Sequence, residues 1–242
     1  MIGRLVRRDD LGDTERGAMF ALLEAHFDGV TREGFETDLA DKNWVVVIEE
    51  DGRLMGFSSL LIYETSDGGE PVTVIYSGDT IVARGAWNTC ALPGSWIAAV
   101  RALREGYPRG RLYWLLLTSG FRTYRFLPIF WREFYPRHDA PAAGPALTLL
   151  SRLAIGRLGA AFCPRTGIAR LLHPQVLRPD LRTVPDGRSA DPHVAFFLER
   201  NPGWMAGDEL VCLTEIAYDN LTAAGRRMWT HGRCAVPALA GR

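Results

Sequence analysis

The sequence predicts an α+β protein: a mixed, mostly antiparallel sheet flanked by helices, with an extra helical region toward the C-terminus. Three observations carry this expectation. Apolar residues recur at helical spacing up to about residue 40, then change to dense apolar and β-branched runs between residues 44 and 82, separated by turn residues. Helical spacing returns after residue 90. Finally, Leu112 to Thr118 is almost wholly apolar, the composition of a strand covered on both faces.

In chain order, Ile2 to Val6 is a short apolar opening, and Asp13 or Thr14 can cap a helix that turns Met19, Phe20, Leu22 and Leu23 to one broad face. A second helix is expected from Thr31 to about Ala40, burying Phe35 and Leu39. Trp44 to Glu50 and Leu54 to Tyr63 read as strands joined by Asp51-Gly52, a strong two-residue hairpin signal. A third strand, Val72 to Val82, follows the polar turn from Ser66 to Glu70. Past a loop, Pro93 can open a helix through Trp96, Ile97, Val100 and Leu103, because its missing N–H would be unpaired at that position anyway. After the run to Thr118 comes an aromatic-rich helix from about Arg122 to Phe134, which Pro128 should kink or split. Pro136 to Pro145 is a loop, Ala146 to Phe162 a helix, Thr166 to Leu172 a candidate strand, Asp191-Pro192 the start of a short helix, and Glu209 to Ala217 a late strand.

With 242 residues, 47% of them hydrophobic and 23% charged, the chain can build one substantial core and does not have the composition of a disordered segment. No apolar run is long enough to span a bilayer, and the first eleven residues do not read as a signal peptide, so the expectation is a cytoplasmic protein. The four cysteines form no C-x-x-C pair, and the histidines lack metal-ligand spacing; no metal is expected. Net charge is zero, yet residues 1 to 80 carry a net −10 and residues 81 to 242 a net +10. The later part is thus suited to a phosphorylated or acidic partner, unless the two parts neutralise each other across an interface. Between residues 101 and 137, eight arginines face two glutamates, interleaved with aromatics. No base-reading motif accompanies them, so nucleic acid is not expected as a partner.

The meander of Trp44 to Tyr63, with its Gly56-Phe57, and Thr73 to Val82, followed by the helix Pro93 to Arg104 and then Leu112 to Tyr135, resembles the Gcn5-related N-acetyltransferase (GNAT) superfamily in order and spacing. The resemblance spans residues 1 to 137 as an acyltransferase core, with 138 to 242 as an extension packed on it that returns the late strand near 209 to 217. It implies that a thioester lies where two neighbouring strands splay apart. The pantetheine arm would pair with the edge from Asp79 to Val82, and the pyrophosphate would rest on backbone N–H groups of Arg84 to Leu92, at a helix start. The implied cofactor-binding residues are Ile81, Val82, Arg84, Gly85, Trp87, Asn88, Thr89 and Cys90. Two departures stand out. Trp87 and Thr89 occupy positions where the superfamily's phosphate loop has small residues, and Phe130 stands where it often has a tyrosine acid, with Thr123 in place of an asparagine. Any acid would come from elsewhere, with Tyr124 or Tyr135 as candidates.

Among the other groups, Asp79 is a carboxylate in an otherwise apolar and hydroxylic strand, next to Gly78, which suggests a bulge. Such a group can serve as a general base, or simply be held by Arg84 or a turn N–H. His26 ends the first helix, where it either answers the helix dipole or borders an acceptor site. Cys90 is a candidate nucleophile or a small buried thiol. Trp44, Tyr63, Ser119 and Tyr135 are candidate substrate contacts.

The reading that follows is an N-acyltransferase moving an acyl group from a thioester donor, coenzyme A or the phosphopantetheine of an acidic acyl carrier protein, to a small-molecule amine by direct attack. The alternative is a non-catalytic or repurposed GNAT-like module that binds thioesters or other ligands.

Overall fold

The computed structural model describes residues 1–87, 89–140, 144–184, 186–188 and 190–239. Strand β1 (Ile2–Arg7) leads to helix α1 (Asp13–Glu24), capped by Gly12 rather than by Asp13 or Thr14: the Gly12 N–H donates to Glu15 at 3.1 Å. The two-residue strand β2 (Phe27–Asp28) precedes α2 (Arg32–Ala40), where the Thr31 hydroxyl accepts from the Gly34 N–H at the helix start. Strands β3 (Trp44–Glu50), β4 (Arg53–Asp67) and β5 (Glu70–Val82) form the expected antiparallel meander. Asp51 and Gly52 both take positive φ, 50° and 75°, as a two-residue hairpin of matching twist requires.

Helix α3 (Ala91–Gly106) starts two residues before Pro93, and β6 (Arg111–Thr118) follows. The aromatic helix expected after it is split, as Pro128 suggested, into α4 (Phe121–Tyr124) and α5 (Phe126–Phe130), and it stops short of the two-residue strand β7 (Phe134–Tyr135). Pro128 explains the break, since it has no N–H to give to the Tyr124 carbonyl. Helix α6 (Pro145–Leu158) ends earlier than expected, at Gly159 with φ 54°. Short strands β8 (Phe162–Cys163), β9 (Ile168–Ala169) and β10 (Val176–Leu177), helix α7 (Pro192–Arg200), strand β11 (Glu209–Glu215) and helix α8 (Ala223–His231) complete the chain. Helix α8 carries no apolar stripe that the sequence reading picked out.

Among the described residues one sheet runs β1-β3-β4-β5-β6-β11-β9-β8, with β7 also pairing β11, while β2 and β10 form a separate ribbon. Every pairing between named strands is antiparallel except β5 with β6, which α3 connects. Helix α3 buries Trp96, Ile97, Val100 and Leu103 on one sheet face, in a core that also takes Val194 and Phe197 of α7 and Cys212 of β11. On the other face α1 and α2 cover β3 and β4, and α6 covers β5, β6 and β11. Burial of this apolar area drives folding, and β11 carries it across the sheet from the N-terminal to the C-terminal part of the chain. Among the described residues no helix is long and apolar enough to cross a membrane.

Candidate functional site

Strands β5 and β6 run together only from Val72 opposite Arg111 to Ser77 opposite Leu116. Beyond that point β5 stays with β4, as far as Val82 opposite Gly56, while the end of β6 goes with β11, Thr118 opposite Leu210. No described strand therefore faces the β5 edge from Gly78 to Val82. Two features hold the strands apart. A bulge sets Gly78 and Asp79 against the single residue Ser59, bending β5. At the apex the Trp114 indole N–H donates to the Ser77 hydroxyl at 2.9 Å, and the Trp96 ring packs on Trp114 at 4.3 Å, so large rings fill the sheet face beside the point where the strands part.

Two cavities open on this gap, of about 870 and 680 Å³. They share Phe27, Thr80, Ile81, Leu92, Ser119, Thr123 and Phe126, so each is one side of a single passage. Their charges are opposite. The larger is lined by Glu33, Asp38, Asp41, Asp79 and Glu209, and by no lysine or arginine among the described residues. The smaller is lined by Arg122, Arg125 and Arg188, and by no described carboxylate. An anionic ligand is favoured on one side and a cationic one on the other.

On the acidic side, Asp79 projects from the bulge, half-buried. Burial and the neighbouring Asp38 carboxylate push its carboxyl up to about 7, against the opposing pull of Lys42 and a hydrogen bond with Gln175. Lys42, the chain's single lysine, is buried at 2% exposure; its ammonium donates to the Asp38 carboxylate at 2.7 Å and to the Asp38 carbonyl at 2.9 Å. Gly78 makes room for it: a Cβ there would lie 2.5 Å from Lys42 Cε and 2.7 Å from the Ser59 hydroxyl. Glu209, at the start of β11, is pushed up to about 8 by burial and by the charges of Asp79 and Asp38.

On the basic side, the segment expected to cradle a pyrophosphate is folded onto itself. The N–H groups of Ala86, Trp87 and Thr89 donate to the carbonyls of Ala83, Arg84 and Ala86. The Trp87 indole donates to the Val82 carbonyl at 2.7 Å, with the Arg122 guanidinium 4.9 Å above its ring. These three donors are engaged within the turn, which leaves the N–H groups nearer the start of α3 as the ones an anion could meet. The open β5 edge here faces an apolar wall of Leu92, Phe121, Phe126 and Leu177. Arg122 also donates to the carbonyls of Leu181 and Thr183, which ties the C-terminal segment over the opening.

The structure brings together Asp79, Ile81, Val82, Trp87, Thr89, Cys90, Ser119 and His26 at this passage. Asn88 lies outside the described residues. Arg84 pairs with Asp180 and Gly85 faces open space, both outside the cavity walls. His26 is on the basic side, 6% exposed, with Nδ1 donating to the Leu22 carbonyl at 2.8 Å and Nε2 unpartnered. Four further expectations fail on position. Tyr124 is fully buried among Phe134, Phe196 and Phe197, its hydroxyl donates to the Pro136 carbonyl at 3.0 Å, and burial pushes its pKa far up, so it reaches no ligand as an acid. Trp44 is in the core beneath Arg7, Tyr63 packs beside the α6 core, and Tyr135 turns to Glu133; none lines a cavity. Residues the sequence reading passed over include Asp38, Tyr76, Gln175 and Glu209. A signal existed for one of them, since Asp38 stands one helical turn before the lone lysine.

No protein-family model and no curated protein matches the chain. Among solved structures it is similar to a conserved Enterococcus faecalis protein described as a probable N-acyltransferase, at 15% identity and a TM-score of 0.41 over 55% of this chain and 33% of that one. It is also similar to an aminoglycoside acetyltransferase from an uncultured soil sample, at 17% identity and a TM-score of 0.34 over 46% and 74% of the two chains. A third likeness is to Saccharomyces cerevisiae N-myristoyltransferase with bound myristoyl-CoA, at 15% identity and a TM-score of 0.37 over 48% and 31%. The chain spans about a third of the length of the Enterococcus protein and of the yeast transferase. The element order, the one parallel pairing and the parting of β5 from β6 are the features that the resemblance to the GNAT superfamily implies: the chain has a GNAT-like α+β fold.

Proposed function

We propose that the protein is an N-acyltransferase that moves an acyl group from a phosphopantetheine-type thioester to a cationic small-molecule amine. The observation that carries this reading is the open edge of β5 between two joined cavities of opposite charge. The thioester arm lies along Gly78 to Val82 from the basic side, and the amine enters from the acidic side.

Asp79 acts as the base. A carboxyl held near 7 accepts a proton from the incoming ammonium around neutral pH, directly or through one water. The freed nitrogen attacks the thioester carbonyl, a C–N bond forms, and the C–S bond breaks. The thiolate leaves and takes up, through water, the second proton that the nitrogen sheds as the amide forms, since Tyr124 is sealed in the core. Orientation across the gap and polarisation of the carbonyl by a free β5 N–H supply most of the acceleration.

The spent donors of the 84–89 turn favour one version of the donor. With three of the turn's N–H groups already engaged, an acyl chain on the phosphopantetheine of an acidic carrier protein suits the arginine surface better than acyl-CoA does. Amide formation followed by mass spectrometry, with butylamine as acceptor and either acyl-CoA or an acyl carrier protein as donor, tests both points. The expected result is amide from at least one donor, more from the carrier protein, and a hundredfold or greater loss in Asp79→Asn. Absence of amide from every thioester would favour a ligand-binding module instead.

A further inference from the structure

The free edge of β5 is partly occupied by the chain itself. The Ala83 N–H donates to the Met55 carbonyl at 2.8 Å, and the polar groups of successive strand residues alternate in direction, so those of Val82 face away from β4 and into the gap. Thr80, two residues back, faces the same way. The Val82 carbonyl is taken: the Trp87 indole N–H donates to it at 2.7 Å, where an amide N–H of an arm lying on this edge would donate. Trp87 lines the basic cavity and is 38% exposed. That hydrogen bond and the Arg122 guanidinium 4.9 Å from its ring centre hold it at the surface, contacts that an incoming group can replace.

Beside Trp87 stands His26, on the wall of the same cavity, with the two ring centres 6.4 Å apart. Its Nδ1 is 2.8 Å from the Leu22 carbonyl, which can only accept, so Nδ1 carries the proton and the neutral ring presents Nε2 as an acceptor. Nε2 is buried and receives no hydrogen bond among the described residues, a costly state for an acceptor. An N–H···N bond between the edges of an indole and an imidazole sets their centres roughly 6 Å apart. The separation present here therefore asks for reorientation of the Trp87 ring more than for travel. The indole N–H thus has two acceptors near it, the Val82 carbonyl and His26 Nε2, and can serve one at a time.

We propose that Trp87 and His26 select the donor: the indole closes the far end of the β5 edge, and only an arm that brings an amide N–H to the Val82 carbonyl moves it across to His26. This rests on the acyl-transfer reading for the course of the arm, which enters from the basic side, but makes a separate claim about what the arm must contain. A thioester cut short after the amide nearest its sulfur meets Thr80 and stops before Val82, leaving the indole in place. A full pantetheine arm has a second amide to offer there. The exchange conserves hydrogen bonds, since the Val82 carbonyl trades one donor for another and the His26 nitrogen gains the one it lacks. Opening is selective because the longer arm gains a contact only in the open position.

The test is proton–nitrogen correlation spectroscopy of the full chain, with Trp87 assigned as the indole signal, among those of seven tryptophans, that Trp87→Phe removes. S-butyryl pantetheine should shift that signal strongly, and S-butyryl N-acetylcysteamine, which has only the first amide, should leave it in place. Calorimetric titration adds the energetics. S-butyryl pantetheine should bind about fivefold more tightly to Trp87→Phe than to wild type and about fivefold more weakly to His26→Phe, while His26→Phe should change nothing in the Trp87→Phe background. Trp87 is near the surface, so Trp87→Phe should melt like wild type, and the spectral result on wild type needs no change at His26. An indole signal indifferent to bound S-butyryl pantetheine, one that responds equally to the truncated thioester, or a His26→Phe effect that persists without the indole would overturn the proposal. Amide formation with butylamine reads acyl transfer separately: amide with an unmoved indole sinks the gate alone, and no binding of either thioester sinks both.

Discussion

Asp79 shows how a single residue acquires a role from its surroundings. Its carboxyl is raised chiefly by burial, so activity should rise with pH through about 7 and then level, and Asp79→Asn should flatten that limb; pH–rate profiles of both proteins check this. Stability has the opposite slope. Because the folded chain holds the protons of Asp79 and Glu209 more tightly than the unfolded chain does, their contribution is complete below about pH 4 and is lost as pH rises through 7 to 8. Denaturant titrations should accordingly find Glu209→Gln more stable than wild type at pH 9 and equal to it at pH 4. Gly78 is the neighbour that makes this geometry possible. Gly78→Ala would drive a methyl into Lys42 and Ser59, at a cost of about 1–3 kcal/mol in the same titrations. In the sequence, Asp79 and Gly78 were already conspicuous as a charge and a glycine inside an apolar strand. Glu209 was not, because nothing near it in the chain says that β11 will start beside the end of β6.

At the level of elements, the meander, the hairpin at Asp51-Gly52 and the buried run of β6 were legible because each obeys a local rule of period and turn chemistry. Two-residue strands such as β2, β7 and β10 were not, since they exist only through partners distant in sequence. The split of the aromatic segment after Thr118 was legible from Pro128, but the side to which Tyr124 turns was not: it lies in the core rather than toward a ligand. The departures at Trp87 and Thr89 were visible in the turn from Arg84 to Thr89, but its closed hydrogen bonds and the Trp87 indole on the Val82 carbonyl were not. Since the Trp87 indole occupies the Val82 carbonyl, Trp87→Ala should free one end of the β5 edge. We expect a severalfold gain in affinity for an S-acyl pantetheine, measured by titration; unchanged or weaker binding would place the arm elsewhere.

Across the whole molecule, the segment after residue 138 is part of the fold that makes the site. It supplies β11 and Glu209 to the central sheet, Phe197 and Trp204 to the main core, and the Leu177 and Leu181 wall of the basic cavity. Phe197→Ala should therefore cost about 3–5 kcal/mol in one cooperative unfolding transition seen alike by near- and far-ultraviolet circular dichroism. All of these expectations depend on one geometric claim, that the unpaired β5 edge receives an extended thioester arm. Hydrogen–deuterium exchange of the backbone amides from Gly78 to Val82, with and without an S-acyl pantetheine, tests it most directly. Slower exchange confined to that edge and to residues across the gap is the predicted result; exchange there that is indifferent to every thioester supplied would contradict it.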